Sequence, residues 1–144
     1  ISSTFWTERI GPSAAIATLD EMKKNKSWLE ISKKGNMVEK GWKTLAKKYG
    51  LDIETSGLKS LKFLKFKSNH NLIYKTFITQ EMLKEGFLAN NAFYASIAHS
   101  EKVIKNYLQV LDKIFEKIKS LEELKNPSSI LDSEVCHTNF KRMN

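Results

Sequence analysis

Apolar residues recur at three- and four-residue steps in four stretches of the chain, and short alternating runs lie between them. Such spacing places side chains on one side of a helix, whereas a period of two marks a half-buried strand. The first periodic stretch, 12–24, carries Ala15, Ile16, Leu19 and Met22 and predicts a helix with one buried stripe. The second, 27–48, opens on Ser27 as an N-cap, runs through Trp28, Ile31, Gly35, Val38, Trp42, Leu45 and Tyr49, and stops at Gly50. Gly35 and Gly41 lower helix propensity, so a neighbour is expected to approach closely there. Residues 51–55 alternate, Ser56-Gly57 supplies a turn, and 61–66 reads as the partner strand of an antiparallel hairpin. The alternation breaks between Phe63 and Leu64, which predicts a bulge or burial on both faces.

A third helix is expected over 71–84, with Leu72, Tyr74, Phe77, Ile78, Met82 and Leu83 on its apolar side and Gly86 ending it. Short strands follow at 87–89 and 94–97. Ser100 then caps a last helix to Leu121, whose Val103, Ile104, Tyr107, Leu108, Leu111, Ile114, Phe115 and Ile118 form the strongest stripe in the chain. The remainder, 122–144, holds Pro127 and several serines and reads as a polar, loosely attached tail. Strands and helices are segregated enough to predict an α+β fold, with helices over one face of a small antiparallel sheet. Three segments follow: 1–26, a loop and linking helix; 27–121, the folded domain; and 122–144, the tail.

Composition narrows the chemistry. The chain has 144 residues, 41% of them hydrophobic, enough for one domain with a real core. A single cysteine, Cys136, excludes an internal disulfide and suits a reducing compartment, so a cytoplasmic location is expected. Cys136-His137 is the nearest approach to a ligand cluster, and no zinc spacing surrounds it. No apolar run approaches the length of a bilayer span, so no membrane partner is expected. The net charge of +8 is nearly all lysine scattered over helix faces; Arg9 and Arg142 are the only arginines. Base and bidentate phosphate readers favour arginine, so no nucleic-acid partner is expected either.

The start of the chain carries the sharpest motif. In Ser3-Thr4-Phe5-Trp6-Thr7-Glu8-Arg9-Ile10-Gly11-Pro12, a hydroxyl-rich loop meets a proline and an alanine-rich helix. Proline is at home in a first helical turn, and the free N–H groups there favour anions. This run resembles the segment opening the C-terminal part of class III aminotransferases, fold-type-I pyridoxal-phosphate enzymes. The likeness is nearest to glutamate-1-semialdehyde 2,1-aminomutase-like members. In that family a threonine precedes a helix-starting proline with the spacing of Thr7 and Pro12, and Ala14, Ala17 and Leu19 continue the pattern. Downstream, Leu83-Lys84-Glu85-Gly86-Phe87-Leu88-Ala89 followed by Ala98-His99-Ser100-Glu101 resembles the family's ending before its last helix.

The resemblance implies the small C-terminal domain of such an enzyme, with pyridoxal 5'-phosphate as cofactor. Thr7 would bind the cofactor phosphate across a homodimer interface, and Glu8 and Arg9 would be weak candidates for the substrate entrance. The partners would be a small-molecule amino donor and a keto or aldehyde acceptor, with amino-group transfer through a Schiff base. The Schiff-base lysine is expected upstream of Ile1, because the chain enters mid-motif with no methionine and no leader before it. On that reading the chain is a C-terminal fragment, inactive alone. Many class III transaminases hold a substrate carboxylate with a small-domain arginine; none lies between Arg9 and Arg142, which favours the aminomutase-like branch. The alternative is a helical interaction module without catalysis, presenting the stripes of 27–48 and 100–121 to a partner.

Overall fold

The computed structural model describes residues 7–137 apart from Glu123 and Lys125. Ser3, Thr4, Phe5 and Trp6 of the opening motif, and Arg142, lie outside the described residues. Helix α1 spans Ile10–Asn25 and α2 Ser27–Tyr49; strands β1, Ile53–Leu58, and β2, Leu61–Phe66, follow. Helix α3 covers Asn71–Lys84, β3 Ala92–Tyr94 and α4 Glu101–Leu121, with a 3-10 turn at Pro127–Ile130. The three strands form one antiparallel sheet in the order β1-β2-β3, pairing Ile53 with Phe66 and Leu61 with both Leu58 and Tyr94.

The fold is the expected α+β arrangement. Val38, Trp42 and Ala46 of α2, Tyr74, Phe77, Ile78 and Met82 of α3, and the α4 stripe meet Leu64 and Phe66 of the sheet in one core. Ser100 caps α4 as its hydroxyl accepts the Val103 N–H at 3.2 Å. Most of the α2 and α4 stripes pack on one another in the core, whereas the interaction-module reading had them presented to a partner; Trp28 and Val103 at their starts stay exposed. The glycines behave as expected: a Cβ at Gly35 would overlap the Lys59 carbonyl, and one at Gly41 would sit 2.5 Å from Leu108 Cδ2.

Several local expectations give way to tertiary forces. Ser27 is not a cap: Lys26 joins α1 to α2 in the left-handed conformation (φ 48°, ψ 42°), and Ser27 is buried as the first residue of α2. Ser56-Gly57 belongs to β1, and the chain reverses at Lys59-Ser60 instead. No bulge interrupts β2. Its pairing runs straight, with Lys62, Leu64 and Phe66 facing inward, so the broken pattern came from a buried lysine. Phe87–Ala89 is not a strand. Leu64 N–H donates to the Asn91 carbonyl at 2.8 Å, and the Asn91 side chain donates back to Leu64 O at 3.2 Å, so pairing resumes only beyond Asn90.

The two ends differ most from expectation. The α1 stripe is not buried; Ile16 and Leu19 are 62% and 63% exposed, and no residue of α1 enters the core. The described part of the tail, by contrast, is docked on α3. Pro127 is buried, and Ile130 and Leu131 pack against the core. Asp132 N–H donates to Gln80 Oε1 at 2.7 Å, and Cys136 N–H to Thr76 Oγ1 at 3.0 Å. Pro127 and two aliphatic side chains outweigh the polar composition of this segment.

Candidate functional site

Thr7, Glu8 and Arg9 stand together immediately before α1. Arg9 occupies the N-cap position in a helical conformation (φ −89°, ψ −21°), and no side chain caps the helix. The first helical bond runs from Ser13 N–H to the Arg9 carbonyl at 3.0 Å. The N–H groups of Ile10 and Gly11 are therefore among the orphan donors of a helix start, and Pro12 has none to leave unpaired. Thr7 and Arg9 are exposed, Glu8 is half-buried, and no acidic residue occupies the first turn. The Thr7 hydroxyl makes no hydrogen bond among the described residues. Two kinds of neutral donor and one guanidinium thus face solvent at the positive end of a helix, a donor set that suits a phosphate. Among the described residues nothing there forms a socket for an aromatic ring, so the fit to pyridoxal phosphate found in them is to its phosphate.

A second concentration of chemistry lies around His99, part of the downstream motif, where a hydrogen-bonded histidine at a helix start was expected. His99 Nδ1 accepts the Ser96 N–H at 3.2 Å, and its ring lies 5.2 Å from that of Phe93. An accepting Nδ1 fixes the proton on Nε2. Ser96 is held from the opposite side as well. Lys34 is buried, and its ammonium donates to the carbonyls of Ile97 at 2.8 Å and Ser96 at 3.4 Å. Beyond His99, the buried Tyr107 hydroxyl accepts Trp42 Nε1–H at 2.9 Å, and burial pushes its phenol well above the ordinary range. Lys34 could have been flagged in the sequence, since it falls between Ile31 and Val38 on the apolar face of α2.

Two carboxylates shape the electrostatics. Glu39 takes Lys43 at 2.7 Å and Lys62 at 2.6 Å, with the Thr55 hydroxyl at 2.9 Å. The two ammonium groups bring its pKa down to about 2. For Glu81, burial alone would raise the pKa, but Lys117 and Lys84, each at 2.8 Å, outweigh it and leave about 2. Carboxylates held this low stay charged near neutrality and are poor proton shuttles. Their folded pKa values lie below the ordinary 4.5, so the stability they add is complete above that value and is lost as pH falls towards 2. Thermal unfolding followed from pH 6 to pH 2.5 should show this loss, worth about 2 kcal/mol per group after allowance for solvent screening. Glu39→Gln and Glu81→Gln should each flatten the acid limb; an unchanged limb in both would remove these pairs from the account.

Among the described residues, no group of three histidine, cysteine or acidic side chains could hold a metal ion, and no helix is long and apolar enough to cross a membrane. No protein-family profile matches the chain, and no curated protein does. Among solved structures, the chain is similar to the FumI protein of Sphingopyxis sp. MTA144, determined in its PLP internal aldimine form. The TM-score is 0.73 at 19% identity, over 90% of this chain and 32% of that one. The likeness is one of fold. The chain spans about a third of the FumI chain.

Proposed function

We propose that this chain is the C-terminal part of a pyridoxal-phosphate-dependent aminotransferase or aminomutase, nearest to the glutamate-1-semialdehyde type and working as a homodimer. The observation that carries the reading is the fold shared with FumI over nearly the whole chain, in a protein whose structure is that of a PLP form. The Thr7–Pro12 spacing supports it independently, as does the absence of arginine between Arg9 and Arg142. So does the bare face of α1, whose Ile16 and Leu19 suit a helix that packs on further polypeptide.

In this reading Thr7 donates its hydroxyl to the phosphate, and the unpaired N–H groups at the start of α1 and the Arg9 guanidinium add positive potential. Glu8 works against an anion and belongs to the substrate side. When bound, the cofactor supplies an electron sink for bond breaking at the carbon bearing the amino group. The Schiff-base lysine belongs to polypeptide preceding Ile1, and the amino donor and the keto or aldehyde acceptor meet there.

The test has two arms. The isolated chain mixed with pyridoxal phosphate should develop no stoichiometric visible band and no transaminase or aminomutase turnover; both together would overturn the assignment of the lysine elsewhere. In the longer polypeptide, Thr7→Val should weaken cofactor binding about 10- to 100-fold, the worth of one hydrogen bond to a charged group, while Thr7→Ser restores it. Equal affinity for all three would remove Thr7 from the phosphate site.

A further inference from the structure

Between the 86–94 segment and the first turns of α4 lies a cleft of about 500 Å³, within the range of small-molecule sites. Phe87, Phe93 and Tyr107 form its walls, Val103 and Ile104 its floor, and His99 its polar edge. The aromatic walls are mutually braced: Phe87 lies 6.1 Å and Phe93 6.3 Å, centroid to centroid, from the Tyr107 ring. Tyr107 is itself anchored by Trp42.

Two apolar side chains stand in solvent at the rim, Leu88 at 97% exposure and Tyr94 at 68%, which is costly unless something covers them. The polar handle has a defined sense. With Nδ1 engaged by Ser96 N–H, His99 offers Nε2–H as a donor and has no partner for it among the described residues. The chain carries a net charge of +8, and Glu101 in the first turn of α4 is engaged by Lys33 at 3.0 Å, so an acceptor of negative charge is favoured over a cation.

We infer that this cleft binds a small aromatic or branched aliphatic carboxylate, its apolar body between Phe87, Phe93 and Tyr107 and its carboxylate on His99. Thr7 is not among its lining residues, and the site does not depend on the cofactor reading. A compact acid can set its apolar body against the aromatic walls while its carboxylate reaches the His99 Nε2–H.

The probe is 4-phenylbutyrate, titrated into the whole chain and followed by amide and indole nitrogen–proton spectra. Saturable shifts are expected at Phe87, Phe93, Tyr107 and the Trp42 indole, with a Kd on the order of 1 mM for a ligand of this size. The cation 4-phenylbutylamine should bind at least tenfold more weakly. Val103→Trp, at an exposed position of α4, should fill the cleft and abolish binding while circular dichroism stays unchanged. His99→Phe should cost about tenfold for the acid and leave the amine unaffected. Unsaturable or scattered shifts, or full affinity in Val103→Trp, would overturn the proposal. So would a dimer by sedimentation that Val103→Trp dissociates, since the cleft would then belong to a second copy.

Discussion

Gly35→Ala should lower the stability of the domain by about 3 kcal/mol or more, the upper end for overpacking a closed contact. The new methyl would overlap the carbonyl of Lys59, in the turn between β1 and β2. That turn cannot move aside cheaply. Leu58 pairs with Leu61 on one side of it, and the Ser60 carbonyl accepts Ala95 N–H at 2.9 Å on the other. The gain of about 1 kcal/mol from replacing glycine in a helix does not cover the clash. Gly41→Ala provides the contrast. The three atoms nearest its methyl all belong to the Leu108 side chain, the closest at 2.5 and 2.6 Å, and the tip of a half-buried side chain can shift where a backbone carbonyl cannot. Propensity and crowding nearly cancel there, and the change should stay within about 1 kcal/mol. Denaturant titration of both variants decides the matter; a Gly35→Ala protein as stable as the parent would show that the hairpin turn does not rest on α2.

Trp42→Ala should be the most damaging of the core truncations, at about 4 kcal/mol. The indole is wholly buried between α2 and α4, and its Nε1–H serves the Tyr107 hydroxyl. The loss therefore joins a large cavity to an unpaired buried phenol. Two milder changes separate these terms. Trp42→Phe keeps most of the volume and should cost about 2 kcal/mol, largely the orphaned hydroxyl; Tyr107→Phe removes the other half of the bond. Each single variant strands one buried polar group, and the double variant strands none. The combined Trp42→Phe, Tyr107→Phe protein should accordingly lose less than the sum of the two. Additive losses would mean that the bond contributes nothing beyond packing.

What could be read from the sequence follows from which forces are local. Helix α4 was legible because its stripe is sustained through Ile104, Tyr107, Leu111, Phe115 and Ile118 and its cap, Ser100, is a short-range device. Gly35 and Gly41 announced close approach because a helix has little other use for glycine. The misreadings involve groups that depend on distant partners. Lys62 looked like a solvent-facing residue and so broke the β2 pattern, yet Glu39 on α2 makes its inward position tolerable at 2.6 Å. Lys34 is buried because the carbonyls of Ser96 and Ile97 receive it, a pairing across 62 and 63 residues. Asn91 carries part of the sheet edge through a side-chain amide, which period-two reasoning does not weigh. Among the site residues, Thr7, Glu8 and Arg9 were singled out by motif, and they adjoin one another at a helix start. Phe87 and His99 were noticed in the downstream motif, but not as walls of one cleft, because Phe87, Phe93 and Tyr107 come together only through the return of α4.

Helix α1 has a mechanical consequence. Its 16 residues make a rod about 24 Å long at 1.5 Å rise per residue, joined to the core through the single left-handed residue Lys26. A swing of about 10° at that joint carries the Thr7 end through roughly 4 Å, more than the length of a hydrogen bond. Aim at the far end would then be set by any polypeptide that covers Ile16 and Leu19, so a substitution on that bare flank would detune the anion contact proposed for Thr7, two or three turns away, without touching it.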